Sequence, residues 1–196
     1  MGPVEETPNS MAALEILYGL KNVKRRGWLL RGVPPELCES DAGHLLSVTR
    51  AAFLYTRDGD LADMLMSHDW PEVICGDPTP SDNINPIIKH EAELAAMKEI
   101  TNHLSPKQRG RYMGLWLEYE GKETPRSRLA HQLDKLDAAV KALYYENLGY
   151  DVSEFYPYTR QRLEDPNLIN IFDRLMKRDF PLDKAHLVYF KLLYRF

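Results

Sequence analysis

LADMLMSHDWPEVICGDPTP, residues 61–80, is the stretch that decides the fold. Its first half is helical, with Leu61, Met64, Leu65 and His68 recurring at the three-to-four-residue interval of one helix face. Pro71 disfavours a continuous helix just past His68 and Asp69, although Glu72, Val73 and Ile74 can resume a short one. The segment therefore delivers an imidazole and a carboxylate to the end of an apolar helix. Adjacent helical residues diverge by about 100°, so both reach one ion only if it sits beyond the helix end. On its own such a pair is weak evidence, because a lone His near a helix end is more often a cap or a satisfied core residue.

Working outward, helical periodicity continues in both directions. Upstream, apolar residues from Met11 to about Arg25 (Leu14, Ile16, Leu17, Leu20, Val23) predict a helix, broken by Gly27, Gly32 and Pro34-Pro35. Ser40 or Asp41 can cap the next helix, which carries His44, Leu45, Val48, Ala52 and Phe53 and ends near Asp58. Downstream, residues 76–86 read as a polar, turn-rich loop, and Pro86 opens a helix to about His103. Ser105-Pro106 and Thr124-Pro125 each start another, the second long, through Leu129, Leu133, Leu136, Val140 and Leu143. Two shorter helices are expected near Leu168–Met176 and Leu182–Tyr194. No strand pair or repeat is evident, so the expectation is an all-α bundle of seven to nine helices.

The chain has 196 residues, enough for one domain with a full core. We expect a single domain over residues 11–196 behind a disordered leader, residues 1–10. That leader lacks the basic and apolar regions of a signal peptide, and Glu6 stands where a myristoylation signal wants Ser or Thr. No apolar run approaches a membrane span. A net charge of -4 gives no footing for a nucleic-acid polymer. Cys38 and Cys75 form no framework; each is expected as a small core residue in a reducing compartment, the cytoplasm. The Tyr/Phe-rich tail (Tyr150, Phe155, Tyr156, Tyr158, Phe172, Phe180, Tyr189, Phe190, Tyr194, Phe196) is expected to close the core, with an oligomer interface or pocket wall as the alternative.

Two groups of residues carry chemistry. His44, His68, Asp69 and Asp134 together offer two imidazoles and two carboxylates. That set suits a divalent transition metal and leaves positions open for water and a phosphate oxygen. The second group is Lys24-Arg25-Arg26 with Trp28 and Arg31. Guanidiniums grip phosphate through paired hydrogen bonds, and an indole can stack on a base or pack on a sugar. The plain alternative is a basic helix end with Trp28 in the core. His90 and His131 are expected in surface or supporting roles.

The ordered strings RGWLLRGV, ESDAGH, HDWPEVICGDPTP and LDKLD (residues 26–33, 39–44, 68–80 and 133–137) resemble the HD-domain phosphohydrolase superfamily. The resemblance is to the branch of bacterial 5′-deoxynucleotidases and related small HD hydrolases, over roughly residues 14–148. It implies an all-α bundle with one divalent ion (Co, Mn, Zn, Fe or Mg) held by His44, His68, Asp69 and Asp134. It implies that Glu72, four residues past His68, positions or deprotonates water, and that Asp77 assists as acid/base or binds substrate. It implies substrate contacts from Arg26 and Trp28, the latter excluding a ribose 2′-hydroxyl, and an approach of Lys89 to the phosphate. Relatives are often dimers.

The chain departs from that pattern at one place. Where the family commonly shows ESVAEH, Asp41 replaces the apolar residue and Gly43 the acidic one. The glycine frees volume that could admit extra phosphates. The expected function is hydrolysis of 2′-deoxynucleotides to deoxynucleoside and phosphate. The alternatives are a deoxynucleoside triphosphate triphosphohydrolase, such as a phage-type dATP hydrolase, a non-catalytic nucleotide sensor, and a helical interaction module without a metal.

Overall fold

A computed structural model of the chain describes residues 10–178. Over that span it is all-α, as expected. The helices are α1 (Ser10–Tyr18), α2 (Arg26–Leu29), α3 (Asp41–Tyr55), α4 (Gly59–Ser67), α5 (Glu72–Cys75), α6 (Pro86–Asn102), α7 (Pro106–Gly121), α8 (Pro125–Asn147), α9 (Phe155–Arg160) and α10 (Pro166–Met176), with 3-10 turns at Gly19–Lys21 and Pro80–Asp82. Seven of them, α1, α3, α4, α6, α7, α8 and α10, run nine residues or longer. None among the described residues is long and apolar enough to cross a membrane.

The helix starts are written in short polar side chains. Ser40, Asp58, Asn85, Ser105, Thr124 and Asp165 each accept a hydrogen bond from a first-turn amide, a cap worth about 1 kcal/mol. Pro86, Pro106, Pro125 and Pro166 occupy the first helical position, where no amide donor is needed. Ser105 and Gln108 form a reciprocal capping box.

Several boundaries differ from expectation. The first helix stops at Tyr18 instead of near Arg25, because the residues after it are engaged elsewhere. A Cβ on Gly19 would sit 2.7 Å from Val73 Cγ2, so only glycine lets this turn pass α5. The Asp41 amide donates to the Val23 carbonyl and the Arg25 amide to the Glu39 carbonyl, flanking an antiparallel bridge between Lys24 and Ser40. Helix α9 was not expected; at six residues with an internal proline it is too short to show a period. Cys38 is buried as expected, but Cys75, at the end of α5, is exposed. The expected helix at Leu182–Tyr194, the aromatic residues beyond position 178 and most of the leader lie outside the described residues.

The core holds α3, α4, α7, α8 and α10 together through Val48, Leu61, Met64, Leu65, Leu115, Leu133 and Leu168. A second cluster around Met97, Ile100 and Trp116 seats α6 and Trp70. A third packs Trp28, Val33 and Cys38 on Ala142 and Tyr145 of α8. Phe172 is buried in the first cluster, and Phe155, Tyr156 and Tyr150 pack at the edges of the clusters, closing the core as expected; Tyr158 remains exposed. Helix α8 is thus common to two clusters, and the polar residues on its face toward α3 and α4 have nowhere to go but inward.

Candidate active site

Three helices meet at a cavity of about 1000 Å³. Helix α3 contributes His44, the end of α4 contributes His68 and Asp69, and α8 contributes Asp134. His44, His68 and Asp134 each offer a ligand atom within 4.8 Å of the others. His44 Nε2 lies 3.2 Å from Asp134 Oδ1. Asp69 Oδ2 lies 3.2 Å from His68 Nε2 and 3.8 Å from His44 Nε2. The structure therefore brings together all four residues expected to hold an ion.

The far side of each imidazole is fixed. His68 Nδ1 donates to the Leu65 carbonyl at 2.8 Å, which leaves Nε2 facing the cluster. His44 Nδ1 pairs with Asp137 Oδ2 at 2.9 Å, and Asp137 Oδ1 accepts from Ser47 Oγ at 2.5 Å. This carboxylate–histidine relay is the arrangement that orients metal-binding imidazoles. Asp137 was not singled out from the sequence; the signal was present in LDKLD, whose aspartates are three residues apart and share a helix face. Asp134 Oδ2 is occupied by Lys135 Nζ at 2.8 Å and Tyr119 Oη at 3.3 Å. Its Oδ1, together with His44 Nε2, is buried without a hydrogen-bond partner among the described residues. Two unsatisfied buried polar atoms in a native core call for an explanation. Atoms each about 2.1 Å from one ion lie about 3.0–3.4 Å apart, a spacing matched by the His44 Nε2–Asp134 Oδ1 and His68 Nε2–Asp69 Oδ2 pairs, at 3.2 Å each. The donor set fits a divalent cation.

Without an ion, protons and Arg25 balance the charges. Burial and Arg25 both work against a charged His44, yet its bond to Asp137 and the Asp134 carboxylate facing it hold its pKa up at about 10. Burial opposes ionisation of Asp69, but the neighbouring His68 and Arg25 charges hold it well below the usual carboxylate range. Asp134 is held down likewise, chiefly by Lys135.

Beside this cluster lies an acidic one. Oxygens of Asp41, Glu72 and Asp77 fall within 4.8 Å of one another, close enough to hold a cation of their own. Arg25 fills that role. Its Nη1 lies 2.8 Å from Asp69, 3.3 Å from Glu72, 3.5 Å from Asp77 and 3.7 Å from Asp41. Burial, then the Asp69 charge, push Glu72 well above the ordinary glutamate range. Burial pushes Asp41 up to about 7, against the pull of Arg25. Asp41 is fully buried, and neither of its oxygens has a hydrogen-bond partner among the described residues. Gly76, at φ 76° and ψ 178°, occupies backbone space that is essentially glycine's own. It turns the chain so that Asp77 accepts from the Arg26 amide at 2.6 Å.

The expected substrate contacts are placed unevenly. Arg26 has a half-exposed side chain that pairs with Asp82 at 2.6 Å and is not among the residues lining the cavity. Arg25 faces the site instead. Trp28 lines the cavity but is only 3% exposed, packed on Phe155 and Tyr145, with its indole N–H 3.3 Å from Glu39. It is a wall with no face free for stacking a base. Lys89 lines the cavity while bound to Glu93 one turn on. Gly43 is exposed, and a Cβ there would meet only Ser40 and Glu39; the volume it frees lies outside the cavity. His131 stacks on Tyr119 with its Nε2 2.9 Å from the Tyr119 carbonyl, and His90 stacks on Trp116, supporting positions as expected.

The profile of the family described as HD domain matches residues 17–167, well over half of the chain. The protein belongs to the HD-domain family. The 5′-deoxynucleotidase HDDC2 of Mus musculus is 32% identical over 170 residues, covering 83% of this chain and 84% of that protein. Among solved structures, a conserved hypothetical protein from Pyrococcus furiosus superposes with a TM-score of 0.71 at 27% identity, over 86% of this chain and 99% of the other. A predicted metal-dependent phosphohydrolase from Magnetospirillum magnetotacticum gives 0.65 at 26% identity, over 87% and 93%. In this chain the all-α HD-domain fold thus carries a His/Asp cluster that could hold a divalent ion.

Proposed function

We propose that this protein is a divalent-metal-dependent phosphohydrolase that removes the 5′-phosphate of 2′-deoxynucleotides. The observation that carries the reading is the pair of orphaned buried atoms, His44 Nε2 and Asp134 Oδ1, 3.2 Å apart beside His68 and Asp69. The HDDC2 relatives, named as 5′-deoxynucleotidases, support the substrate class.

A divalent ion held by His44, His68, Asp69 and Asp134 supplies Lewis acidity and positive charge beside the phosphoryl group. The chain supplies the rest. Glu72, made proton-avid by burial and by Asp69, accepts a proton from the attacking water. Arg25 already shares its charge among four carboxylates, and a phosphate competes for the same guanidinium as charge grows on its oxygens. Asp77, next to both, returns a proton to the leaving 5′-oxygen or binds the sugar. Lys89 is the second candidate for the phosphate, and Trp28 walls the sugar.

The test is a phosphate-release assay on a panel of deoxynucleotides and ribonucleotides with Co, Mn, Mg or Zn. Release of phosphate from deoxynucleoside monophosphates, dependent on added metal, is the expected result. Stoichiometric nucleotide binding without release under any metal would make the protein a sensor and end the enzymatic reading.

A further inference from the structure

The metal cluster takes the phosphate end of a nucleotide and Trp28 walls the sugar, but neither meets the base. Four Trp, Tyr or Phe side chains among the described residues line the cavity: Trp28, Tyr119, Phe155 and Tyr158. Three of them are committed to packing. Trp28 is buried between Tyr145 and Phe155. Tyr119 is buried and stacks on His131, with ring centres 3.9 Å apart. Phe155 is half-buried, its ring centre 4.2 Å from that of Trp28 and 5.4 Å from the Arg31 guanidinium. Tyr158 differs: at 42% exposed, it is the one ring of the four with surface left for a ligand.

The ring stands where it does because α9 is tied to α8 on both sides of Asp134. Thr159 is buried, and its Oγ1 donates to the Lys135 carbonyl at 3.0 Å. Gln132 Oε1 accepts from the Glu164 and Asp165 amides, both at 2.7 Å, which fixes the segment that follows α9. Tyr158 is therefore presented from a fixed backbone beside a candidate metal ligand. Its hydroxyl end is near enough to act electrostatically on Lys135, whose ammonium lies 2.8 Å from Asp134. Phe155 and Tyr158 are three residues apart on α9 and share a face. The aromatic surface thus runs from Trp28 through Phe155 to Tyr158, away from the sugar wall.

One face of the ring is already covered. Arg162 Nη1 donates to the Tyr158 carbonyl at 3.0 Å, and the guanidinium lies over the ring, 3.5 Å from its centre. A cation in that position is attracted by the ring quadrupole and holds the ring against rotation. The opposite face carries neither a second ring nor a cation among the described residues.

We propose that Tyr158, backed by Arg162, is the platform on which the nucleobase of the substrate stacks. The inference rests on the reading above, which puts the phosphate at the metal cluster. Stacking asks for no particular hydrogen-bonding edge, because every base has a π-face. The platform therefore separates nucleotides from bare sugar phosphates. It favours purines over pyrimidines only by their larger ring area.

The experiment measures binding to metal-loaded protein by calorimetry, using phosphonate analogues of dAMP, dCMP and 2-deoxyribose 5-phosphate, in which a P–C bond replaces the hydrolysable P–O bond. Release of phosphate from dAMP is assayed alongside. The variants are Tyr158→Ala, Tyr158→Phe and the control Tyr18→Ala, which removes an exposed tyrosine that also carries a cation, Lys21 at 4.1 Å, but lies outside the cavity. The parent should bind the dAMP analogue more tightly than the baseless one, with the dCMP analogue between them. Tyr158→Ala should cut the preference for dAMP over the baseless ester about tenfold, the scale of one base–aromatic stack. Tyr158→Phe, which keeps the ring, should keep most of the preference, and Tyr18→Ala all of it. A parent affinity no higher for the dAMP analogue than for the baseless one overturns the platform. So does a Tyr158→Ala variant with the parent's preference, or a Tyr158→Phe variant that loses as much as the alanine. Absence of phosphate release from the parent, with the binding preference intact, would strike the hydrolase reading and leave the platform standing.

Discussion

The two halves of the site hold buried charge in opposite ways. Around His44 and Asp134 the outer atoms are bonded and the inner atoms are left bare. Around Asp41, Glu72 and Asp77 the inner atoms already share a cation, Arg25. The first half keeps bare atoms on His44 and Asp134 and shares only Asp69 with Arg25; the second is balanced from within and must release Arg25 before anything else can enter. Bare buried donors are costly and persist only if something later satisfies them. A guanidinium among carboxylates is merely at rest. The comparison assigns the proposed metal to the first half and the displaceable cation to the second.

Removing an anionic ligand from the bare half should have the largest effect. Asp69→Ala should lower phosphate release by more than the roughly 100-fold expected of supporting residues, and should lower the metal content measured on purified protein. Turnover near the parent rate with Asp69 absent would remove the metal centre from the mechanism.

Breaking the balanced half should act on stability instead. Arg25→Ala leaves several carboxylates without their shared cation, and stranding buried charge costs about 3–5 kcal/mol. Denaturant unfolding of metal-free protein measures this, and added divalent metal should return part of the loss. If Arg25→Ala melts like the parent, the acidic trio is not held by that guanidinium.

Asp137 sharpens the contrast, because it touches His44 and not the ion. Asp137→Asn should weaken metal affinity about 10- to 100-fold through loss of the oriented imidazole, with little change in folding. Metal titration with a competing chelator reads this directly.

The contrast between Asp137 and Arg25 also shows what the sequence could reveal. The helix starts were legible because Ser40, Asp58, Ser105 and Thr124 act locally, on amides two or three residues away. The four candidate ligands were legible as residue types in an ordered pattern. Arg25 was not, because Arg25 and Arg26 differ only in which way a non-helical backbone (ψ 99° at Arg25) turns them. The distant bridge between Lys24 and Ser40 decides that. Asp137 was missed because spacing puts it on the same helix face as Asp134 without saying which touches an ion and which touches an imidazole. Asp41 looked like a helix cap and is a fully buried carboxylate, since Ser40 takes the cap and turns Asp41 inward.

Protons should report on the bare half. In metal-free protein His44 holds its proton up to about pH 10, above its unfolded value. Its contribution to apo stability is therefore full below about pH 6.5 and is lost as pH rises through 10. A metal must displace that proton. Apparent metal affinity should therefore climb with pH between 6 and 9, by up to about tenfold per unit for one released proton. A flat affinity over that range would mean that His44 is already neutral.

The smallest effect is expected at Asp41, and it tests the balanced half from the other direction. Its carboxyl is pushed up to about 7 by burial, so the folded state binds a proton that the unfolded chain releases near pH 4. Stability then falls as pH rises from about 4 to 7, and Asp41→Asn removes that loss. A full shift of this size corresponds to about 4 kcal/mol. Glu72 competes for the same proton and for Arg25, so about 1 kcal/mol is the expected gain for metal-free protein at pH 8, shrinking to nothing at pH 4. Thermal melts in chelator at both pH values measure the difference. A variant that is less stable at pH 8 would mean that Asp41 is a needed partner of Arg25, and that the acidic half, too, is built around its charges and not merely tolerating them.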